Sequence, residues 1–270
     1  MSKLKTCILH TVLTIGGLLI IFPFLWMIAT SLKTGIDIYN LSLIPKNPTI
    51  KSYLQVLQST NFLIWFKNSL VVAAITTASV LFFDTLVGYT FAKLDFKGKN
   101  FLFVLVLSTL MIPTEMLVIP WYVMTNTFGW ANSYWSLLFP GLTSAFGIFL
   151  MKQFFEAVPN DLLEAGRIDG LNEFGIFLRA AVPLIKPALA ALGIFTFLGN
   201  WNAFLWPVIV VDQPELYTLP VGLAQFSGES YNQWDLVMTG ASIATIPVLI
   251  IFFIFQRQII EGIHLTGIKE

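Results

Sequence analysis

Residues 159–187 read PNDLLEAGRIDGLNEFGIFLRAAVPLIKP. The stretch carries Asp161, Glu164, Arg167, Asp169, Glu173, Arg179 and Lys186, and it lies between two strongly apolar runs at about 134–155 and 187–211. Elsewhere charge is scarce. The 270-residue chain is 56% hydrophobic and 11% charged, with a mean hydropathy of +0.79, whereas an ordinary soluble domain carries about 25% charged residues. A charged segment between greasy runs marks a place where the chain leaves a bilayer. The expected fold class is an all-α integral membrane protein.

Other compositional features narrow the class further. Net charge is zero, which disfavours a nucleic-acid binder. The single cysteine, Cys7, rules out an internal disulfide. No cysteines or histidines have metal-ligand spacing, and His10 and His264 read as interfacial or solvated, so no metal site is expected. Lys3 and Lys5 precede an apolar run in the manner of a signal peptide, but the run at 11–32 exceeds the roughly 7–15 residues of a signal h-region. It reads as a retained first span.

Apolar runs of roughly 17–25 residues are long enough to cross a membrane. Six are expected, at about 11–32, 68–92, 101–124, 134–155, 187–211 and 238–256. Pro113, Pro120 and Pro140 interrupt the third and fourth; such breaks are tolerated where neighbours re-satisfy the freed carbonyls. Lys and Arg placement sets the orientation. With the N-terminus inside, Lys3, Lys5, Lys93, Lys97, Lys99, Lys152, Arg167, Arg179, Lys186, Arg257 and Lys269 face inward, and only Lys33, Lys46, Lys51 and Lys67 face outward. The loop 212–236 has acids and no Lys or Arg, which suits the outside. Both termini are then cytoplasmic, with an N-terminus at 1–10, a membrane domain over 11–258 containing a cytoplasmic loop 156–186, and a tail at 259–270. Trp65, Trp121, Tyr122, Trp130, Tyr134 and Trp135 fall near span ends and read as an interfacial belt.

Within the charged loop, Asp161 is expected to cap a helix over 162–169 with Glu164 at its third position, an Asp-x-x-Glu capping box. Pro159 stops the preceding helix, and Gly170 fits the left-handed stop. Two turns are too short to persist in water unaided. Leu162, Ala165, Gly166 and Asp169 share a face whose small residues leave room for a partner, and Glu164 and Arg167 can pair on the other side. Local chemistry alone favours a surface helix packed on its own chain.

The order Glu164-Ala165-Gly166, three residues, Gly170, then Pro183 resembles the cytoplasmic signature loop of importer-type ABC permeases. Further matches are Asn68-Ser69-Leu70, Gly88-Tyr89-Thr90-Phe91-Ala92-Lys93 with Phe96-Lys97-Gly98, Met111-Ile112-Pro113 with Ile119-Pro120, Trp201-Asn202-Ala203-Phe204 with Pro207 and Thr218-Leu219-Pro220, and Gln256-Arg257 with Gly262. Together they resemble the shorter membrane subunit of maltose-type carbohydrate importers over most of residues 15–265. Gly166 stands where that family has Ala, and Ala180, Ala181 and Val182 replace its Ile-x-Leu before the proline.

The resemblance implies a type I importer bundle in the bacterial cytoplasmic membrane. It implies a second homologous permease subunit, two ATPase domains holding ATP and Mg, and an extracytoplasmic substrate-binding protein, toward which the loop 212–236 is a candidate to reach. It also implies a carbohydrate-type substrate and no cofactor in this chain. Glu164, Ala165, Gly166, Asp169, Gly170 and Pro183 become ATPase-coupling candidates. Walker, nucleophile-elbow, H-E-x-x-H and C-x-x-C patterns are absent from the sequence, so ATP hydrolysis belongs to another chain.

Polar groups inside apolar runs are costly and usually face a bundle interior or water. Asp84 and Glu115 are read as pathway-lining candidates, Glu115 because the broken span between Pro113 and Pro120 would line a cavity. Asn200, Trp201 and Asn202 suit a hydroxyl-rich ligand, and amides equally hold membrane helices together. The rival reading is an ion-gradient-driven secondary transporter. It would need repeated halves with paired ion ligands, and no such halves are evident.

Overall fold

A computed structural model describes residues 3–227 and 233–267. Among them there are helices and turns with no paired strands, as apolar, Gly- and Pro-punctuated sequence requires when every backbone group must be satisfied internally. The α-helices are α1 (Lys3–Ser31), α2 (Lys51–Ser59), α3 (Phe62–Lys93), α4 (Lys99–Thr109), α5 (Val118–Thr127), α6 (Tyr134–Leu138), α7 (Ala145–Glu156), α8 (Asn160–Ile168), α9 (Glu173–Ile176), α10 (Lys186–Trp201), α11 (Leu205–Val210), α12 (Leu219–Ala224) and α13 (Trp234–Gly267).

Among the described residues, four stretches are continuous, long and apolar enough to cross a membrane: Lys5–Ser31, Phe62–Lys93, Glu173–Trp201 and Trp234–Arg257. Two more arise if each bent pair counts as one span. α4 meets the 114–127 segment at 92°, and 134–141 meets α7 at 41°. Pro113 and Pro140 are the sequence cause of both breaks.

The fifth span departs from the expected 187–211. It begins at Glu173 because a π-turn at Phe177–Ala181 and a 3₁₀ turn at Val182–Ile185 carry the helix past Pro183 and Pro187. The connecting loop is correspondingly shorter than 156–186. α13 continues through the segment 259–267.

The chain forms two compact units. One comprises 1–66 and 219–247. There Lys33 is fully buried, and its ammonium donates to the carbonyls of Asn40 and Ser42 at 2.7 and 2.6 Å, closing the segment after α1. Tyr53 and Ser31 share a hydrogen bond at 2.8 Å. Trp65 is buried against Gly222 of α12 and packs on Phe226 at 5.8 Å, so it belongs to a core rather than to an interfacial belt. Part of the expected 212–236 loop is thus committed to internal packing, and residues 228–232 of it lie outside the described residues.

The other unit comprises 67–218 and 248–270. Its core joins α3, α7, α8 and the 176–192 stretch through Tyr89, Met151, Phe155, Leu163, Ile176 and Phe177. Tyr89 contacts Phe155 and Phe177 with ring centroids 5.3 Å apart in each case. Gly88 permits a close approach: a Cβ there would stand 2.7 Å from Met151 Cβ and 2.9 Å from the Lys152 amide nitrogen. Asn68 is buried with its amide fully used. It donates to the carbonyls of Glu215 and Tyr217, both at 2.9 Å, and accepts from the Tyr134 hydroxyl.

Candidate functional site

Pro159 ends α7's path, and α8 starts directly after it. The expected Asp161 capping box is not formed. Pro159 occupies the cap position and no side chain caps the helix, while Asp161 lies inside the first turn, where a carboxylate favours the helix dipole. The anchoring comes from α3: Lys93 donates to the Val158 carbonyl at 2.6 Å and to Asn160 Oδ1 at 2.8 Å.

The far end is a Schellman stop. Gly170 has φ +81°, its N–H reaches the Arg167 carbonyl at 3.1 Å, and the Leu171 N–H reaches the Gly166 carbonyl at 3.0 Å. Asn172 then caps α9 by accepting the Gly175 N–H at 2.8 Å. This turn delivers Glu173 to Arg167. The guanidinium donates from Nε to Oε1 at 2.8 Å and from Nη2 to Oε2 at 3.3 Å, a two-pronged pair. The Tyr89 hydroxyl donates to Oε2 at 3.5 Å. The bond to Glu173 pushes Arg167 further above its ordinary range, so it is charged at any working pH. The expected Glu164–Arg167 pair is replaced by this one.

The faces of α8 also differ from expectation. Leu163 and Gly166 are buried, and a Cβ on Gly166 would stand 3.3 Å from Ile176 Cγ1. Gly166 is therefore small to fit its own chain, not a partner. Glu164, Ala165 and Ile168 point the opposite way, with Leu162 and Asp169 at the margins, and all five are exposed. Ile168 is 86% exposed. Pro183 is exposed in the 3₁₀ turn. Sequence reasoning missed Ile168, Glu173 and Lys93. Ile168 was legible as an apolar side chain opposite Leu163. The other two bind across a left-handed turn and between helices, where no periodicity applies.

The broken spans border an open cavity of about 420 Å³ lined by the α4–α5 break, the start of α7 and the end of α10. Asn200 lines it. Trp201 does not: it is buried and stacked on Phe197 at 5.9 Å. Asn202 ends α10, exposed, with its amide on the Leu198 carbonyl at 2.9 Å. Glu115 is exposed in the α4–α5 break, and its neighbours Thr114 and Leu117, rather than Glu115, line the cavity.

Asp84 is a correction. It is fully buried between α3 and α7, where Oδ2 accepts the Ser144 N–H at 2.9 Å and abuts Gly147. It organises the first turn of α7 and does not line the cavity.

Residues 84–264 match the family described as binding-protein-dependent transport system inner membrane component. The arabinooligosaccharides transport system permease protein AraQ of Bacillus subtilis (strain 168) is 38% identical over 258 residues, covering 94% of this chain and 92% of that one. The lactose transport system permease protein LacG of Rhizobium radiobacter is 30% identical over 260 residues, covering 96% and 95%. A chain of a bacterial ABC transporter involved in the import of the acidic polysaccharide alginate shares the fold, with a TM-score of 0.84 at 22% identity over 95% of this chain and 98% of that one.

Proposed function

Because this chain belongs to the family of binding-protein-dependent transport system inner membrane components, we propose that its α8 face is where a separate ATPase docks and drives import of a carbohydrate. The chain is a multi-pass inner-membrane permease of an ABC importer, and family membership sets aside the ion-gradient-driven secondary transporter.

The observation that carries the docking reading is Ile168. It is an apolar side chain left almost wholly exposed on a helix that is itself anchored on both sides. Glu164 and Ala165 flank it on the same outward face. A small polar-rimmed apolar knob of this kind fits a pocket on a partner. Gly166, Asp169, Gly170 and Pro183 then shape and position the element. The partners are two ATPase domains carrying ATP and Mg, a second homologous permease and an extracytoplasmic binding protein. Both termini lie on the ATPase side, in keeping with the Lys and Arg bias.

The carbohydrate class rests on the relatives. AraQ is named for arabinooligosaccharides, LacG for lactose, and the structural neighbour for an acidic polysaccharide. Those names span neutral and charged sugars.

The test is purification in mild detergent from the native membrane. We expect an ATPase and a second permease to accompany the wild-type chain. With Ile168→Glu the ATPase should be lost while the second permease is retained. Recovery of the wild-type chain without any ATPase would overturn the reading.

A further inference from the structure

The geometry points to the cavity at the α4–α5 break as a binding site on this subunit for an uncharged polyhydroxylated unit of the substrate, one that rejects anionic sugars. The inference rests on the reading of the chain as a carbohydrate permease.

The cavity's volume, about 420 Å³, falls within the roughly 300–1,000 Å³ usual for small-molecule sites. Its polar lining is made of short neutral groups. Thr114 and Thr143 come from the two helix breaks, and Thr196 and Asn200 are one turn apart on α10. Among the described residues, the hydroxyls of Thr114, Thr143 and Thr196 and the Asn200 Oδ1 take part in no hydrogen bond; the Asn200 Nδ2 is held on the Thr196 carbonyl at 2.9 Å. The amide is thus oriented with its acceptor unspent. Hydroxyls that both donate and accept, beside an amide acceptor, match the alternating donors and acceptors of a sugar.

The apolar side is supplied by Trp121. Its indole is braced edge-on by Phe139 at 6.3 Å and by Trp206 at 5.7 Å, so a ring of fixed orientation faces the cavity. A braced aromatic platform with a few convergent polar groups is the usual make-up of a site for an amphipathic ring.

Charge decides between the two sugar classes. Among the described residues, no Lys, Arg or His lines the cavity. A uronate entering here would lose the water around its charge and meet no cation. A neutral sugar loses water only from hydroxyls, which the hydroxyls and amide of the lining can replace.

The test is ATP-dependent uptake by membrane vesicles carrying the complete importer and its binding protein. The probes are arabinotriose, maltotriose and galactotriose, with trigalacturonate as the anionic counterpart. We expect at least one neutral trisaccharide to accumulate and trigalacturonate not to. The binding protein also filters substrates, so the variants locate the selectivity. Thr143→Val and Thr114→Val are near-isosteric and remove hydroxyls that no other protein group uses. Each should lower neutral uptake about tenfold, the scale of one lost hydrogen bond, with assembly and basal ATP hydrolysis unchanged. Asn202→Ala, outside the cavity, should leave uptake unchanged.

Wild-type uptake in both Thr variants would overturn the site while leaving the permease reading intact. Trigalacturonate uptake matching the best neutral probe would overturn the charge selectivity. No uptake of any trisaccharide by an assembled, ATP-hydrolysing complex would overturn the carbohydrate reading, and this inference with it.

Discussion

Glu173 bonds Arg167 at 2.8 Å through one carboxylate oxygen and takes the Tyr89 hydroxyl at 3.5 Å on the other. One side chain therefore joins the last turn of the proposed docking helix to a membrane-spanning helix. Glu173 and the packing of Leu163 thus both connect α8 to α3. Arg167 and Glu173 are partly solvated, so the pair is weak as a source of stability and matters through geometry.

For that reason Glu173→Gln should leave assembly intact and lower the ratio of solute transported to ATP hydrolysed by about two- to fivefold, the scale of a weakened exposed ion pair. Raising ionic strength should reduce the ratio in the wild type and much less in the variant. An unchanged ratio in Glu173→Gln would mean the link carries no mechanical load.

Gly170 holds φ +81°, a region where a side chain costs roughly 1–2 kcal/mol. Gly170→Val should loosen the Schellman stop and displace Glu173 from Arg167. Ala165→Phe changes the outward face without straining the backbone. Both should abolish most uptake while membrane insertion persists. Normal uptake in both would count against α8 as the coupling element.

Gly88 and Gly147 set the distance between α3 and α7. A methyl at Gly88 would crowd the α7 backbone, and one at Gly147 would collide with the Asp84 carboxylate. Each Gly→Ala change should destabilise the detergent-solubilised protein by about 1–3 kcal/mol, as overpacking does. Gly16→Ala on α1 meets no atom within 4 Å and should be neutral. Thermal unfolding of the three variants side by side checks this.

Asp84 contributes an acceptor to the Ser144 N–H in a fully buried setting. Asp84→Asn retains an acceptor of nearly the same shape and should preserve most stability. Asp84→Leu orphans the amide and should cost about 1–3 kcal/mol. Equal melting temperatures for the two variants would show that the bond contributes nothing.

The amino-acid sequence by itself determined the membrane class, the position of the charged element between apolar runs and the resemblance to importer permeases. Those properties are written in local pattern: long apolar runs, a charged segment between them, and Pro159, Gly170 and Pro183 at fixed spacing. The helix breaks at Pro113 and Pro140 were legible for the same reason, because a proline acts on its own backbone.

What only the tertiary structure decided depends on which atoms meet across helices. Asp84 looked like a pathway residue because burial in a span is costly, and only the approach of α7 shows that the Ser144 N–H binds one of its two oxygens. Gly166 turns inward, and Ile168, given no role by the sequence, stands outward once Ile176 is seen to occupy one face of α8. Trp201 and Asn200 are sequence neighbours, but about 100° of helical rotation places one in packing and the other at the cavity. Partner identity of that kind is a property of three-dimensional contact, which a linear pattern of polarity does not encode.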